Sequence, residues 1–196
     1  MSTFNLKHMR NGREKLKGFW GLAFAVSLVF GLLSGLPGNV GPEWGSVVSL
    51  VITGPLSLGF TIFALNIYRS NNGTFNDLFE GFKNFGKSLL VYLLTIIVVI
   101  IGMILLIVPG IIAGLGLSMS YFVMVDKPEL SAVETLKESW KLMKGYKTKY
   151  LGLCIRFIPW FVLGVVTLGI GLFFVIGWIQ VASASFYEQI KAEPIS

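Results

Sequence analysis

SLLVYLLTIIVVIIGMILLIV, from Ser88 to Val108, followed by Pro109-Gly110 and then by IIAGLGLSMSYFVMV to Val125, carries no charged side chain. The first leg has 21 residues; at about 1.5 Å of rise per residue it reaches about 31 Å, enough to cross the hydrocarbon core of a bilayer. The whole run is too long for one crossing. Proline starts helices but does not continue them, and glycine tolerates the dihedrals of a reversal, so Pro109-Gly110 is the expected turn. The reading is two membrane helices, 88–108 and 109–125, joined outside the apolar slab.

Composition agrees with that reading. Apolar residues make up 54% of the 196-residue chain and charged residues 13%, and the mean hydropathy is +0.75. A water-soluble domain of this size and composition would expose large apolar patches. The formal net charge of +6 matters through its placement, since basic residues orient membrane proteins and attract anionic headgroups; nucleic acid is not an expected partner. The single cysteine, Cys154, has no intrachain partner, and with the single histidine, His8, it is too little for a conventional zinc site. No cofactor is expected.

Working outward, residues 1–17 form a basic segment with Lys7, Arg10, Arg13, Lys15 and Lys17 against Glu14 alone. The apolar run 18–36 is too long for a signal-peptide core and no Ala-x-Ala-like site follows it, so it is read as an uncleaved first membrane helix. PGNVGPEWG, Pro37 to Gly45, is turn chemistry, and 46–68 is a second helix that Pro55 should kink or break. Residues 74–86 read as a short amphipathic helix, with Thr74 and Asp77 as a capping-box variant and Phe75, Leu78, Phe79, Phe82 and Phe85 on one face. After the central hairpin, Ser131 and Glu134 form a better capping box for a second amphipathic helix, 131–147. Its apolar face is Val133, Leu136, Trp140 and Met143, and its basic face is Lys137, Lys141 and Lys144. Helices 150–168, with Arg156 and Pro159, and 171–188 complete a six-helix domain over 18–189, and 190–196 is a tail. The fold class is therefore an all-α membrane protein: six transmembrane helices in three hairpins, with cytoplasmic amphipathic helices.

Orientation follows from the cations. Of the 16 lysines and arginines, every one but Arg156 lies before the first helix, between helices two and three, between helices four and five, or in the tail. That asymmetry is the positive-inside pattern and places both termini in the cytoplasm. A weak internal repeat accompanies it. Glu80-Gly81-Phe82-Lys83-Asn84-Phe85 aligns with Glu138-Ser139-Trp140-Lys141-Leu142-Met143, and Leu16-Lys17-Gly18 with Met143-Lys144-Gly145, suggesting three units of basic helix plus hairpin.

The stretch Glu138-Ser139-Trp140-Lys141-Leu142-Met143-Lys144-Gly145-Tyr146-Lys147 resembles a family of bacterial six-helix membrane proteins catalogued as a domain of unknown function, number nine-seventy-five. The likeness continues through Leu78-Phe79-Glu80-Gly81-Phe82, Val108-Pro109-Gly110-Ile111-Ile112, Phe157-Ile158-Pro159-Trp160, Gly169-Ile170-Gly171 and Ala184-Ser185-Phe186-Tyr187. The order and spacing of these pieces carry the resemblance more than any one of them does. The chain departs from the pattern at Trp140, Arg156, Pro159 and Trp178-Ile179. The resemblance implies the six-helix architecture and a bacterial plasma-membrane location. The family has no established activity.

Two sets of residues stand out. Arg156, in an apolar helix, costs about 2.5 to 3.5 kcal/mol if central, so it either snorkels to the interface or meets Gln180, Asp126 or Glu188 at similar depth. The second set, Lys137, Lys141, Lys144 and Lys147 with Trp140, Phe79 and Phe82, is a surface for anionic inner-leaflet lipid or a partner, either another membrane protein or a second copy of the chain. No nucleophile–base set, phosphate cradle or paired carboxylate lies in the apolar segments, so no enzyme is expected. The expected function is a non-catalytic integral protein of the bacterial cytoplasmic membrane, an envelope scaffold or an accessory or immunity-type protein. The alternative is a small transporter or channel using Arg156 and Gln180 among proline-broken helices.

Overall fold

A computed structural model describes residues 2–35 and 45–193, with side chains from Phe4 onward. Residues 36–44, with Trp44, and 194–196 lie outside the described residues. The described chain is helical: α1 (Ser2–Lys15), α2 (Trp20–Gly35), α3 (Gly45–Ser70), α4 (Asp77–Glu80) running through a 3-10 turn (Gly81–Asn84) into α5 (Phe85–Leu105), α6 (Ile107–Leu117), α7 (Ser120–Asp126), α8 (Ala132–Leu142), α9 (Lys147–Val166) and α10 (Ile170–Ala192). Five helical stretches are long and apolar enough to cross a membrane, and α1 with α2, bent by 102°, make a sixth if counted as one span.

The central hairpin turns earlier than the sequence suggests. The chain breaks at Leu106, which is extended at φ −167° and ψ 149°, and Pro109 and Gly110 sit in the first turn of α6. The physical reason is that the first four N–H groups of a helix have no intrahelical acceptor, so a proline without an N–H belongs just inside the start. Gly110 serves packing instead. A Cβ on it would lie 2.4 Å from Met103 Cγ, and one on Gly102 would lie 2.9 Å from Gly110 Cα. The two legs of the hairpin touch backbone to backbone. Proline is also absorbed elsewhere, since α3 runs unbroken through Pro55 and α9 through Pro159.

The segment 1–17 is more than a basic lead-in. Its helix α1 buries Asn5, His8, Met9 and Leu16 and lies along α10, where a Cβ on Gly12 would sit 2.9 Å from the Ala182 nitrogen and Trp178 Nε1 donates to the Met9 carbonyl at 2.8 Å. The 74–86 segment is shorter as a helix than expected because it is pressed against α3. A Cβ on Gly59 would stand 1.8 Å from the Leu78 carbonyl oxygen, and one on Gly81 would stand 2.0 Å from that of Pro55. On α8 the capping box forms as read. The buried face, however, is Ala132, Thr135, Leu136, Ser139 and Met143, while Val133 and Trp140 face outward. Ser139 Oγ donates to the Gly116 carbonyl at 3.0 Å, and the ring of Trp140, exposed on its outer side, packs on the same glycine, where a Cβ would lie 2.4 Å from Cε3.

These contacts make the repeat geometric. Gly12, Gly81 and Ser139 occupy matching positions, and each meets the second long helix of the preceding unit, α10, α3 and α6 respectively. The N-terminal helix closes the ring on the C-terminal one. Two of the copies end alike: Leu16 and Met143 are fully buried, each donates its N–H four residues back, and the following Gly18 and Gly145 adopt φ of +87° and +80°, the left-handed geometry that glycine accepts without strain. Within this collar, α3, α7 and α10 form the core with Phe63, Leu65, Phe122, Ala184 and Phe186. Beyond it the hairpins carry bare apolar surface from Ile97 to Val108 and from Val162 to Ile170, reaching 94% exposure at Leu168.

Candidate functional site

The three core helices run in register, and the register brings unlike polar groups together at two levels. Counting back eight residues from Arg69, Asp126 and Glu188 gives Thr61, Ser118 and Gln180. One such triplet sits at each level, about 12 Å apart by helical rise, with Leu65, Phe122 and Ala184 buried between them.

At the first level Arg69 is the hub. Its guanidinium meets Asp126 at 2.8 Å and 2.9 Å, donates through Nε to Glu188 at 2.8 Å and makes a second, very close contact to the same carboxylate. Asp126 also accepts from the Tyr187 hydroxyl at 2.9 Å and from Lys191 at 2.5 Å, which leaves its side chain only 10% exposed. Electrostatics explains the grouping. Asp126 and Glu188 stand near helix C-termini, where the backbone dipole disfavours anions, and Arg69 and Lys191 supply the opposing charge. Planar two-pronged pairing of guanidinium with carboxylate makes this a stiff closure of the core.

At the second level lies a chamber of about 290 Å³. Ser57 and Thr61 of α3, Ser118 between α6 and α7, Tyr121 of α7, Tyr150 of α9 and Gln180 of α10 line it, with Phe30, Phe60 and Phe122. Gln180 donates to Thr61 Oγ at 3.2 Å. Thr61 and Ser118 give their own protons to backbone carbonyls. The Tyr121 hydroxyl is buried against Ser57, its hydrogen-bonding neighbour, and the Tyr150 hydroxyl lies 3.2 Å from Ser183 Oγ.

The residues singled out from the sequence therefore divide. Asp126 and Glu188 do not pair with Arg156; they share Arg69, the first residue past the 46–68 segment. Arg156 is half-buried on α9, away from both levels, with no ion pair or hydrogen bond among the described residues. Gln180 lines the chamber. The hydroxyl groups around it escaped notice because serine, threonine and tyrosine scattered through apolar helices look like ordinary packing. The eight-residue offset common to the three helices was the available signal.

On the collar, Lys137, Lys141 and Lys144 are exposed, and Lys147 stacks over the Trp140 ring at 3.3 Å. Phe75, Phe79, Phe82 and Phe85 form a continuous aromatic row with centroids 5.9 to 6.4 Å apart; Phe79 is exposed and Phe82 half-buried, while Leu78 turns into the core. A cleft of about 350 Å³ beside the collar is lined by Lys127, Lys141, Lys191 and Glu138, and the ion pair with Lys127 at 2.6 Å holds the Glu138 carboxyl below its ordinary range. Among the described residues no group of three or more His, Cys, Asp or Glu is arranged to hold a metal.

The fold and these clusters define a helical bundle of three units, each with an apolar hairpin. The chain belongs to the family described as Protein of unknown function (DUF975), whose model matches residues 1–112 and 94–194. No curated protein and no solved structure matches the chain.

Proposed function

We propose that this is a non-catalytic, multi-pass protein of the bacterial cytoplasmic membrane, with both termini and the collar on the cytoplasmic side. It acts as an envelope scaffold or an accessory or immunity-type protein that engages anionic inner-leaflet lipid or a partner. The observation that carries this reading is the outer stripe of α8. Val133, Lys137, Trp140 and Lys144 recur at helical spacing, all exposed, beside hairpins whose apolar residues are bare. An aromatic and aliphatic edge flanked by lysines belongs at a headgroup boundary, where each cation close to an anionic leaflet contributes about 1 kcal/mol. The bare hairpin surface needs hydrocarbon around it. Flotation of the full-length protein with vesicles tests the reading. Binding should strengthen when phosphatidylglycerol replaces part of the phosphatidylcholine, and a Lys137→Glu, Lys144→Glu double variant should lose that increment while still inserting. An increment unchanged in the double variant refutes the lipid grip.

A further inference from the structure

The chamber has a mostly apolar wall with hydrogen-bonding groups set into it. Six side chains with hydrogen-bonding groups, Ser57, Thr61, Ser118, Tyr121, Tyr150 and Gln180, converge from four helices on one space. Burying a hydroxyl without a partner costs about 1 to 3 kcal/mol, and the protein meets most of that need itself: Thr61 and Ser118 donate to backbone carbonyls, Tyr150 lies against Ser183 and Tyr121 against Ser57. Gln180 spends its amide N–H on Thr61 and keeps its carbonyl oxygen as an acceptor. None of the six is charged at neutral pH, and three phenylalanines complete the wall.

We propose that this chamber binds a small neutral solute with several hydrogen-bonding groups, of the polyol or urea class, and that the Arg69 cluster is the latch governing its passage to the cytoplasmic side. Charge selects the class. A bare anion or cation entering this space would find no counter-charge, whereas a neutral donor–acceptor molecule can bond the Gln180 carbonyl and the Ser57 hydroxyl together. The volume, about 290 Å³, is near the lower end for ligand pockets and suits a solute of a few heavy atoms. The route beyond is shut twice: Leu65, Phe122 and Ala184 fill the axis, and Phe122 stacks on Tyr187 with ring centroids 5.2 Å apart, while the Tyr187 hydroxyl is tied to Asp126. Loosening the Asp126 pairs thus frees the ring that holds the plug. One carboxylate couples the two seals.

The proposal rests on the membrane reading above, and its test separates the two. Full-length protein is reconstituted into vesicles, co-flotation is checked first, and swelling in glycerol or urea is followed by stopped-flow light scattering. Asp126→Asn should raise glycerol or urea permeability at least several-fold over protein-free vesicles, and adding Gln180→Leu should return it to the protein-free rate. Glu188→Gln loosens the same hub from the other side and carries the test if Asp126→Asn does not fold, as judged by gel filtration. Protein that fails to co-float refutes the membrane reading. Protein that floats, with both latch variants at protein-free rates or with Gln180→Leu leaving the raised rate unchanged, overturns the chamber proposal.

Discussion

Gly59→Ala should unseat the collar. The added methyl carbon would lie 1.8 Å from the Leu78 carbonyl oxygen and 2.5 Å from its carbonyl carbon, where ordinary contact begins at 3.4 Å, so the backbone of the 77–81 segment must retreat by about 1.6 Å. That shift strains the hydrogen bond of 3.0 Å from Asn66 to Asp77, worth about 1 kcal/mol, and opens part of the fully buried Leu78 side chain, worth about 1 to 2 kcal/mol. Alanine returns up to about 1 kcal/mol in helix propensity, leaving a net loss of about 2 kcal/mol. For a chain of this size that is a fall in Tm of about 4 to 8 °C, read by tryptophan fluorescence on heating in detergent. Gly86→Ala is the control, since a Cβ there meets nothing within 4 Å, and its Tm should hold or rise. If Gly59→Ala melts at or above the wild type, the close packing of collar on core is refuted.

Other outcomes follow from the same geometry. Burial of His8, on α1, against Ser185 and Phe186 of α10, with the Lys7 charge nearby as a smaller contribution, lowers its pKa from 6.5 to about 4. The fold therefore prefers the neutral ring, and stability is whole above pH 6.5, falls as pH drops from 6.5 toward 4, and levels off below. The loss is on the order of 2 kcal/mol once partial solvent screening is allowed for, and His8→Phe should flatten the profile of Tm against pH across that window. Arg69→Ala leaves Asp126 and Glu188 facing each other and should cost about 2 kcal/mol, discounted from buried-pair values because the cluster is partly exposed; Arg69→Lys, unable to pair in two-pronged fashion, should recover part of it in the same melt. Ser131→Ala removes the cap of α8 and should cost about 1 kcal/mol, seen as faster amide exchange confined to 131–136. Arg156→Ala should leave Tm within a degree or so of the wild type, because no partner is lost.

Much of the architecture was legible because it rests on local signals. The helical segments, the Ser131–Glu134 cap and the aromatic row of 75–85 follow from periodicity and residue type, which act within a few residues. What escaped is what depends on long-range contact. Pro109-Gly110 reads as a turn by composition, and only the need for backbone contact between Gly102 and Gly110 shows why the reversal falls at Leu106. The apolar spacing of α8 points Trp140 inward, yet Ser139 takes the buried position at Gly116 and Trp140 sits at the rim with its ring edge on the same glycine. Asp126 and Glu188 were recognisable as polar groups at helix ends. Their shared partner Arg69 was not, since it is 57 residues from one and 119 from the other, and nothing local to it differs from any arginine after an apolar helix.

The most direct measurement is sidedness in intact cells. With Cys154 replaced by serine, single cysteines at Asn39 and Leu168, in the first and third interhelical connections, and at Lys83 and Lys137 on the collar are exposed to a membrane-impermeant maleimide. The account predicts labelling of Asn39→Cys and Leu168→Cys from outside, and of Lys83→Cys and Lys137→Cys only after the membrane is opened. External labelling of either collar position, or protection of both hairpin connections until the membrane is opened, contradicts it.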